Sequence, residues 1–339
     1  MTTDATSHRT DHTIGRYRRL LYTHSFPLLG LGLLCLVMIT ATVVATQSPS
    51  PAPRTAGLTP EHHPQKVRAE SAASLQELFE ASRYEWPPRG QHSVPPLLLT
   101  RLPEDFDQLE SPNQRRELFL RALLPIVLIE NRRLREQRAL AAWLLNGNLP
   151  AADSPLYAWL TGLAQHFRVR GDISQPAVRE RLLGRLDVIP PALALAQAAI
   201  ESGWGSSRFA LQGNSLFGQW TFDDDKGLEP EQRADEATHL VASFPDLQAS
   251  VRAYMRNLNT GNAYHEFRTA RAASRAAGQA LQAGTLATHL HRYSQRGDDY
   301  VEEIRRIIHS PSLALLADAS LGQPPQTLAA NSDRSHAGG

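Results

Sequence analysis

Residues 194–220 read ALAQAAIESGWGSSRFALQGNSLFGQW, and this stretch decides the fold more than any other part of the chain. Pro190 and Pro191 come just before it and predict the start of a helix, because proline is tolerated at the first helical position and presets φ there. The following residues are almost all Ala, Leu and Ile, which indicates a buried helix. Gly203 and Gly205 predict its end.

Glu201 is the ionisable residue in the last turn of this predicted helix. Burial among Ala and Ile disfavours the carboxylate, and so does the negative end of the helix dipole, so both effects raise the pKa of Glu201. A glutamate that stays protonated near neutral pH is what acid cleavage of a glycosidic bond requires. The residues alone equally allow a helix-ending Glu201 that points into water.

Three segments resemble glycoside hydrolase family 73, the bacterial peptidoglycan N-acetylglucosaminidases, also described as mannosyl-glycoprotein endo-β-N-acetylglucosaminidase-like domains. They are VIPPALALAQAAIESGWGSSRFALQGNSLFGQWTF at 188–222, VRAYMRNLNTGNAYHEFRTAR at 251–271 and HRYSQRGDDYVEEIRRII at 291–308. The match is best with the Bax-type branch of Gram-negative bacteria and runs from about residue 95 to 308. The resemblance implies a mainly α (α+β), lysozyme-like helical domain with a small β-lobe after the catalytic helix.

The resemblance also implies an activity and a set of site residues. The activity is hydrolysis of β-1,4 bonds after N-acetylglucosamine in peptidoglycan, with Glu201 as general acid. Trp204 and Trp220 are candidates to stack on sugar faces, although ordinary core packing is an open alternative for both. Phe217 lies in the same cleft-forming segment and is also a candidate substrate contact, and Asn214 is a candidate to hydrogen-bond an acetamido group.

A second catalytic group is less clear in the sequence. Seven acidic residues fall in the expected β-lobe, and we favour Glu236 because the segment at 235–239 resembles a recurrent Bax-type segment. The N-acetyl group of the substrate can itself assist, which would remove the need for an enzyme nucleophile. The resemblance places Tyr293 in the site as a functional hydroxyl. Tyr300, at the start of the last helix, is a candidate substrate contact with a structural role as the alternative.

Two other functions stay open at this point. Lytic transglycosylases and muramidases share the fold and also use a glutamate at a helix end, but they leave different ends on the product. A non-catalytic peptidoglycan-binding protein is the third hypothesis, and the intact ESGWG segment argues against it.

An apolar run precedes the domain. Residues 26–45 carry no charge, and 20 residues at 1.5 Å each span about 30 Å, the thickness of the bilayer hydrocarbon. Arg9, Arg16, Arg18 and Arg19 lie before it, so the positive-inside rule predicts a cytoplasmic N-terminus and an exported catalytic domain. With the resemblance to a Gram-negative branch, this implies an anchor in the inner membrane and a catalytic domain in the periplasm. A signal peptide cleaved near Ala45 is the alternative.

Composition excludes several classes of function. The formal net charge is +1, and no basic stripe interleaved with aromatic residues indicates nucleic acid. The single cysteine, Cys35, excludes an internal disulfide framework. No cluster with metal-ligand spacing appears, so neither a metal nor another cofactor is expected.

Five segments are therefore predicted. They are a basic cytoplasmic tail at 1–25, a transmembrane signal anchor at 26–46, a Pro-rich linker and membrane-proximal segment at 47–94, the catalytic domain at 95–310 and a disordered tail at 311–339. A short helix is predicted over 70–82, and further helices after Ser111-Pro112, after Ser154-Pro155 and at Pro176. The charge-rich run from Glu130 to Arg138 is interpreted as a solvated helix face with ion pairs.

Overall fold

The computed structural model describes residues 64–221, 227–229 and 240–322, and most of these residues are helical. All of them belong to the same compact unit. Among these residues no helix is both long and apolar enough to cross a membrane. The predicted anchor at 26–46, Cys35 and Glu236 lie outside the described ranges.

The helices are joined by short connections and follow one another along most of the chain. Their bounds are α1 Ala72–Ala81, α2 Pro112–Leu145, α3 Pro155–His166, α4 Pro176–Arg185, α5 Pro191–Glu201, α6 Arg208–Gly213, α7 Leu247–Thr260, α8 His265–Ala276, α9 Ala283–Ala287, α10 Asp298–Ile308 and α11 Pro311–Ala314. Single 3₁₀ turns cover Phe106–Gln108, Asn262–Tyr264 and Leu315–Asp318.

The predicted helix starts are confirmed, because the Ser-Pro pairs act as caps. The side chains of Ser111 and Ser154 accept hydrogen bonds from the first turns of α2 and α3, and proline occupies the first helical position of each. The α2 helix continues for 34 residues with Pro125 inside it. The short helix predicted over 70–82 is also present as α1.

Two small sheets accompany the helices. Strands β1 Gln65–Val67 and β2 Leu97–Leu99 pair in parallel. Strands β3 Trp220–Thr221, β4 Gly227–Leu228 and β5 Leu240–Ala242 form an antiparallel sheet in the order β3-β5-β4. This second sheet follows α5 and α6, where the β-lobe was predicted. A mainly helical chain with a small sheet at this place is consistent with a lysozyme-like fold.

The α5 helix lies at the centre of the molecule. It packs against both α2 and α10, and Leu193, Ala194 and Leu195 have no exposed surface. Burying a leucine side chain stabilises the fold by about 1.5–3 kcal/mol, so this helix is held firmly by its apolar faces. The end of α5 that carries Glu201 is therefore a rigid mount.

Both ends of the described chain differ from the prediction. Residues 64–94 were assigned to the linker and membrane-proximal segment, but Leu75 and Phe79 are buried in the core and β1 pairs with β2. Residues 311–322 were assigned to a disordered tail, but Leu313 and Leu316 are buried and residue 321 bridges to residue 94. In both segments a few apolar side chains at helical spacing bury enough surface to order the chain.

The interpretation of residues 130–138 as a solvated face is wrong for Glu130. Its side chain is 3 % exposed and accepts hydrogen bonds from Arg252 (2.8 Å) and Gln248 (2.6 Å) of α7. Burial of this carboxylate is tolerated because it is paired and hydrogen-bonded. The pair joins the middle of α2 to α7.

Candidate active site

Glu201 is the last residue of α5, as the sequence predicts, and its side chain is half-buried. The chain turns sharply after it, since Gly203, Trp204 and Gly205 all have positive φ. A Cβ at Gly205 would lie 2.8 Å from side-chain carbons of Leu102 and Phe119, so only glycine fits against the core there. The turn thus ends the helix at Glu201 and keeps the chain that follows packed against the core.

A buried chain of hydrogen bonds leads to the Glu201 carboxyl group. The Tyr254 hydroxyl donates to Gln197 Oε1 (2.7 Å), and Gln197 Nε2 donates to the Tyr300 hydroxyl oxygen (3.0 Å). Because the Tyr300 oxygen accepts from Gln197, its own proton is free to be donated to the Glu201 side chain, with which it is hydrogen-bonded. Gln197, Tyr254 and Tyr300 are each at most 1 % exposed. We call this set the hydroxyl–amide chain.

Burial is the largest influence on Glu201 and raises the pKa of its carboxyl group above the ordinary value. The hydrogen bond from Tyr300 and the positive charge of Arg296 act in the opposite direction, while the charge of Glu303 raises the pKa further. Arg296 and Glu303 form an ion pair of 2.6 Å, so their effects on Glu201 partly cancel. The net direction is upward, as the sequence predicts for this residue.

An open cleft of about 520 Å³ lies beside this carboxyl group. Gly218 connects the two, because a Cβ built on it would lie 3.2 Å from Glu201 Oε2. Trp220 also lines the cleft, with 63 % of its surface exposed. The lining residues are Arg168, Phe217, Gly218, Gln219, Trp220, Ala253, Arg256, Asn257, Thr260, Tyr264 and Tyr293.

Two predicted site residues form the wall between the cleft and the hydroxyl–amide chain. The Tyr293 ring stacks on Tyr300 with centroids 5.6 Å apart, and its hydroxyl donates to the Phe217 carbonyl (3.2 Å). The Phe217 ring stacks in turn on Tyr254, with centroids 3.9 Å apart. Burial raises the pKa of the Tyr254 and Tyr293 hydroxyls, so both stay protonated and act as hydrogen-bond donors. Tyr300 is buried behind Tyr293, so its contact is with Glu201 and not with a molecule in the cleft.

Two predicted substrate contacts lie elsewhere. The Trp204 ring packs edge-on against Phe119 of α2 (centroids 6.3 Å apart) beneath the Arg116 guanidinium, and it does not line the cleft. Asn214 caps α6 in the left-handed conformation, is 4 % exposed and donates to the Phe244 carbonyl (3.0 Å). Core packing therefore accounts for Trp204 and helix capping for Asn214, because asparagine tolerates positive φ at a helix end.

Other residues near Glu201 were not predicted as site residues. Gln197 carries a recognisable signal, because it is the one uncharged polar side chain in the apolar helix and precedes Glu201 by about one turn. Nothing in the sequence joins Tyr254 to Gln197. Nothing in the sequence marks Arg168 or Arg256 as a site residue. Glu236 belongs to the undescribed range 230–239 and stays a prediction.

This arrangement has the parts of an acid-catalysed bond cleavage. A carboxyl group with a raised pKa stands beside an open cleft, a hydroxyl group donates to it from the buried side, and an exposed indole offers a flat apolar surface. Among the described residues, no group of three or more His, Cys, Asp or Glu side chains is placed to hold a metal ion.

Comparison with known proteins agrees with this geometry. The sequence model of the glucosaminidase family, described as mannosyl-glycoprotein endo-β-N-acetylglucosaminidase, matches residues 180–313, which include Glu201, Phe217, Trp220, Tyr293 and Tyr300. The chain is also 32 % identical over 201 residues to Protein bax of Escherichia coli (strain K12), an alignment that covers 58 % of this chain and 69 % of that protein. No solved structure matches the chain significantly. On these grounds the chain belongs to the glucosaminidases of glycoside hydrolase family 73, in the Bax-type branch.

Proposed function

We propose that the protein hydrolyses β-1,4 glycosidic bonds of peptidoglycan after N-acetylglucosamine, with Glu201 as the general acid. The observation that carries this proposal is the half-buried Glu201 carboxyl group, whose pKa is raised and which lies against Gly218 at the edge of an open cleft. The glucosaminidase domain supports a glycosidase as the class of enzyme. The choice of the β-1,4 bond after N-acetylglucosamine and of peptidoglycan as the substrate is our proposal.

In this mechanism the protonated Glu201 gives its proton to the glycosidic oxygen while the bond between that oxygen and the anomeric carbon breaks. Burial raises the pKa of this carboxyl group, which favours the protonated form that the reaction needs. Once the proton has left, the Tyr300 hydroxyl donates to the new carboxylate and stabilises it. Trp220 stacks on a neighbouring sugar ring and holds the strand in the cleft.

Water must then add to the anomeric carbon and release a proton, and a second group must stabilise the positive charge that forms on that carbon. Glu236 is our proposed enzyme carboxylate, and the acetamido oxygen of the substrate is the other possibility. Replacing Glu236 by Gln distinguishes them: activity falls strongly if the carboxylate takes part, and it persists if the acetamido group acts alone. We also propose that residues 26–46 anchor the protein in the inner membrane with the domain in the periplasm.

The test is digestion of purified peptidoglycan by the full-length protein in detergent, beside Glu201→Gln. Products are reduced with borohydride and identified by mass spectrometry. We expect reduced N-acetylglucosamine ends from the wild type alone. Anhydromuramic ends would instead identify a lytic transglycosylase, and reduced muramic ends a muramidase. Binding without cleavage by both proteins would contradict an enzymatic role.

A further inference from the structure

Both charged side chains among the described residues that line the cleft are arginines. They are Arg168 and Arg256, and both are exposed. Arg168 lies just beyond the end of α3, and Arg256 of α7 donates to the His166 carbonyl at that same helix end (3.4 Å). One end of the cleft is therefore positively charged.

The positive charge continues into a neighbouring groove of about 900 Å³ between α4 and α8. Arg181 and Arg185 line this groove, and Arg185 Nη1 donates to the Arg168 carbonyl (2.7 Å). This hydrogen bond joins a residue of the groove to a residue of the cleft. We call Arg256, Arg168, Arg185 and Arg181 the arginine strip.

The nearby carboxylates are too few to neutralise this positive charge. Arg138, Arg181, Arg185, Arg268 and Arg275 line the groove, against Asp187 and Glu180. Asp187 is already bound by Arg275 (3.0 Å) and lies 3.9 Å from Arg271. Burial lowers the pKa of Arg185, and the positive charges of Arg181 and Arg168 lower it further. Mutual repulsion of this kind is relieved when an anion binds.

We infer that the arginine strip binds carboxylates of the substrate outside the cleaved bond, so that the preferred substrate is a glycan strand that still carries its stem peptides. This inference rests on the proposed function. Stem peptides leave the strand at its muramic acid residues and carry more carboxylates than amines. A guanidinium group binds a carboxylate through two parallel hydrogen bonds, so the chemistry of strip and peptide agrees.

The experiment measures the binding of two soluble forms of the glycan. Strands freed by an endopeptidase retain their stem peptides, and further treatment with an amidase removes the peptides and leaves one lactyl carboxylate on each muramic acid. Binding is measured by titration calorimetry on full-length Glu201→Gln in detergent, because this variant leaves the strands intact. Two double substitutions are each added to Glu201→Gln. Arg168→Gln/Arg256→Gln is the test variant, and Arg83→Gln/Arg89→Gln is the matched control because these arginines lie in a different depression of the surface.

We expect the unaltered strip to prefer peptide-bearing strands, and this preference to shrink as salt screens the charges. The Arg168/Arg256 double variant should bind peptide-bearing strands about fivefold to tenfold more weakly, as expected for two exposed charge contacts, and should lose less affinity for denuded strands, which keep only the lactyl carboxylates. The control should keep both affinities. Equal affinity of the unaltered strip for both strands would overturn the inference, and so would equal losses on both in the double variant. Cleavage of both strands by the wild-type protein is measured in parallel, and failure to cleave either strand contradicts the proposed function. The ratio of the two binding affinities alone tests the role of the arginine strip.

Discussion

Replacing Tyr300 by Phe tests the role of the hydroxyl–amide chain at Glu201. The change keeps the ring and its stack on Tyr293 but removes the hydroxyl that is hydrogen-bonded to Glu201 and accepts from Gln197. The carboxylate formed during the reaction then loses its donor on the buried side. We therefore expect a slower reaction and a changed dependence on pH.

The size of the effect follows from the lost contacts. A hydrogen bond to a charged group contributes about 1.5–3 kcal/mol, and each 1.4 kcal/mol is about a factor of ten in rate. The value of kcat/KM should therefore fall by about tenfold to a hundredfold. The free energy of unfolding should fall by about 1–3 kcal/mol, because Gln197 Nε2 is left buried without its acceptor.

The pH dependence separates a catalytic effect from simple destabilisation. The Tyr300 hydrogen bond lowers the pKa of Glu201, so its removal raises that pKa. A general acid loses activity as the pH rises through its pKa, so the basic limb of the kcat/KM profile should move to higher pH. Tyr254→Phe is the matched control, because it removes an equally buried hydroxyl that bonds Gln197 and not Glu201.

The assay is the release of reducing ends from peptidoglycan over a range of pH, with chemical denaturation of both variants in parallel. Tyr254→Phe should destabilise the fold to a similar extent and leave the basic limb in place. The reasoning fails if the two variants lose the same activity, or if the limb of Tyr300→Phe stays in place or moves to lower pH.

Three further changes test the rest of the site. Glu201→Gln should lower kcat about 10²- to 10⁴-fold. Folding raises the pKa of Glu201 in the wild type, so the variant should also become more stable than the wild type as the pH rises above about 4.3, the ordinary glutamate value. Chemical denaturation over a range of pH should show this gain, and it should show none in stronger acid. Gly218→Ala should cost about 1–3 kcal/mol of stability and lower activity, because φ is +58° and the new Cβ meets Glu201 Oε2; normal melting and turnover would contradict this placement. Trp220→Ala should raise KM while the free energy of unfolding changes by less than about 0.5 kcal/mol. Trp204→Ala should instead lower the melting temperature and leave KM unchanged. The opposite pattern would show that Trp204 contacts the substrate and that Trp220 stabilises the fold.

Local chemistry made much of the fold readable. Ser111 and Ser154 next to prolines predict the starts of α2 and α3, and Pro191 predicts the start of α5, because capping and proline geometry act within one helical turn. The position of Glu201 at the end of α5 follows from the same local signals. Burial of this helix among others raises the pKa of Glu201, which is the direction that its composition predicts.

Roles that depend on partners far along the chain were not readable. Trp204 and Trp220 are the same residue type in one short segment, yet one packs on α2 and the other lines the cleft. Glu130 belongs to a charged run that predicts solvation, and only the approach of Arg252 from α7 makes its burial possible. The core contacts of residues 64–94 and 311–322 equally depend on surfaces that other elements supply.

The sequence by itself determined the starts of α2, α3, α4 and α5, the place of Glu201 and, through its motifs, the family. Only the tertiary structure decided which groups meet that carboxyl group. Gln197 bonds Tyr254, 57 residues away, and Tyr300, 103 residues away, and the arginine strip draws on α4, α7 and the end of α3. Caps and turns depend on residues within a few positions of each other, whereas a hydrogen-bond chain and a charged surface depend on how separate helices pack.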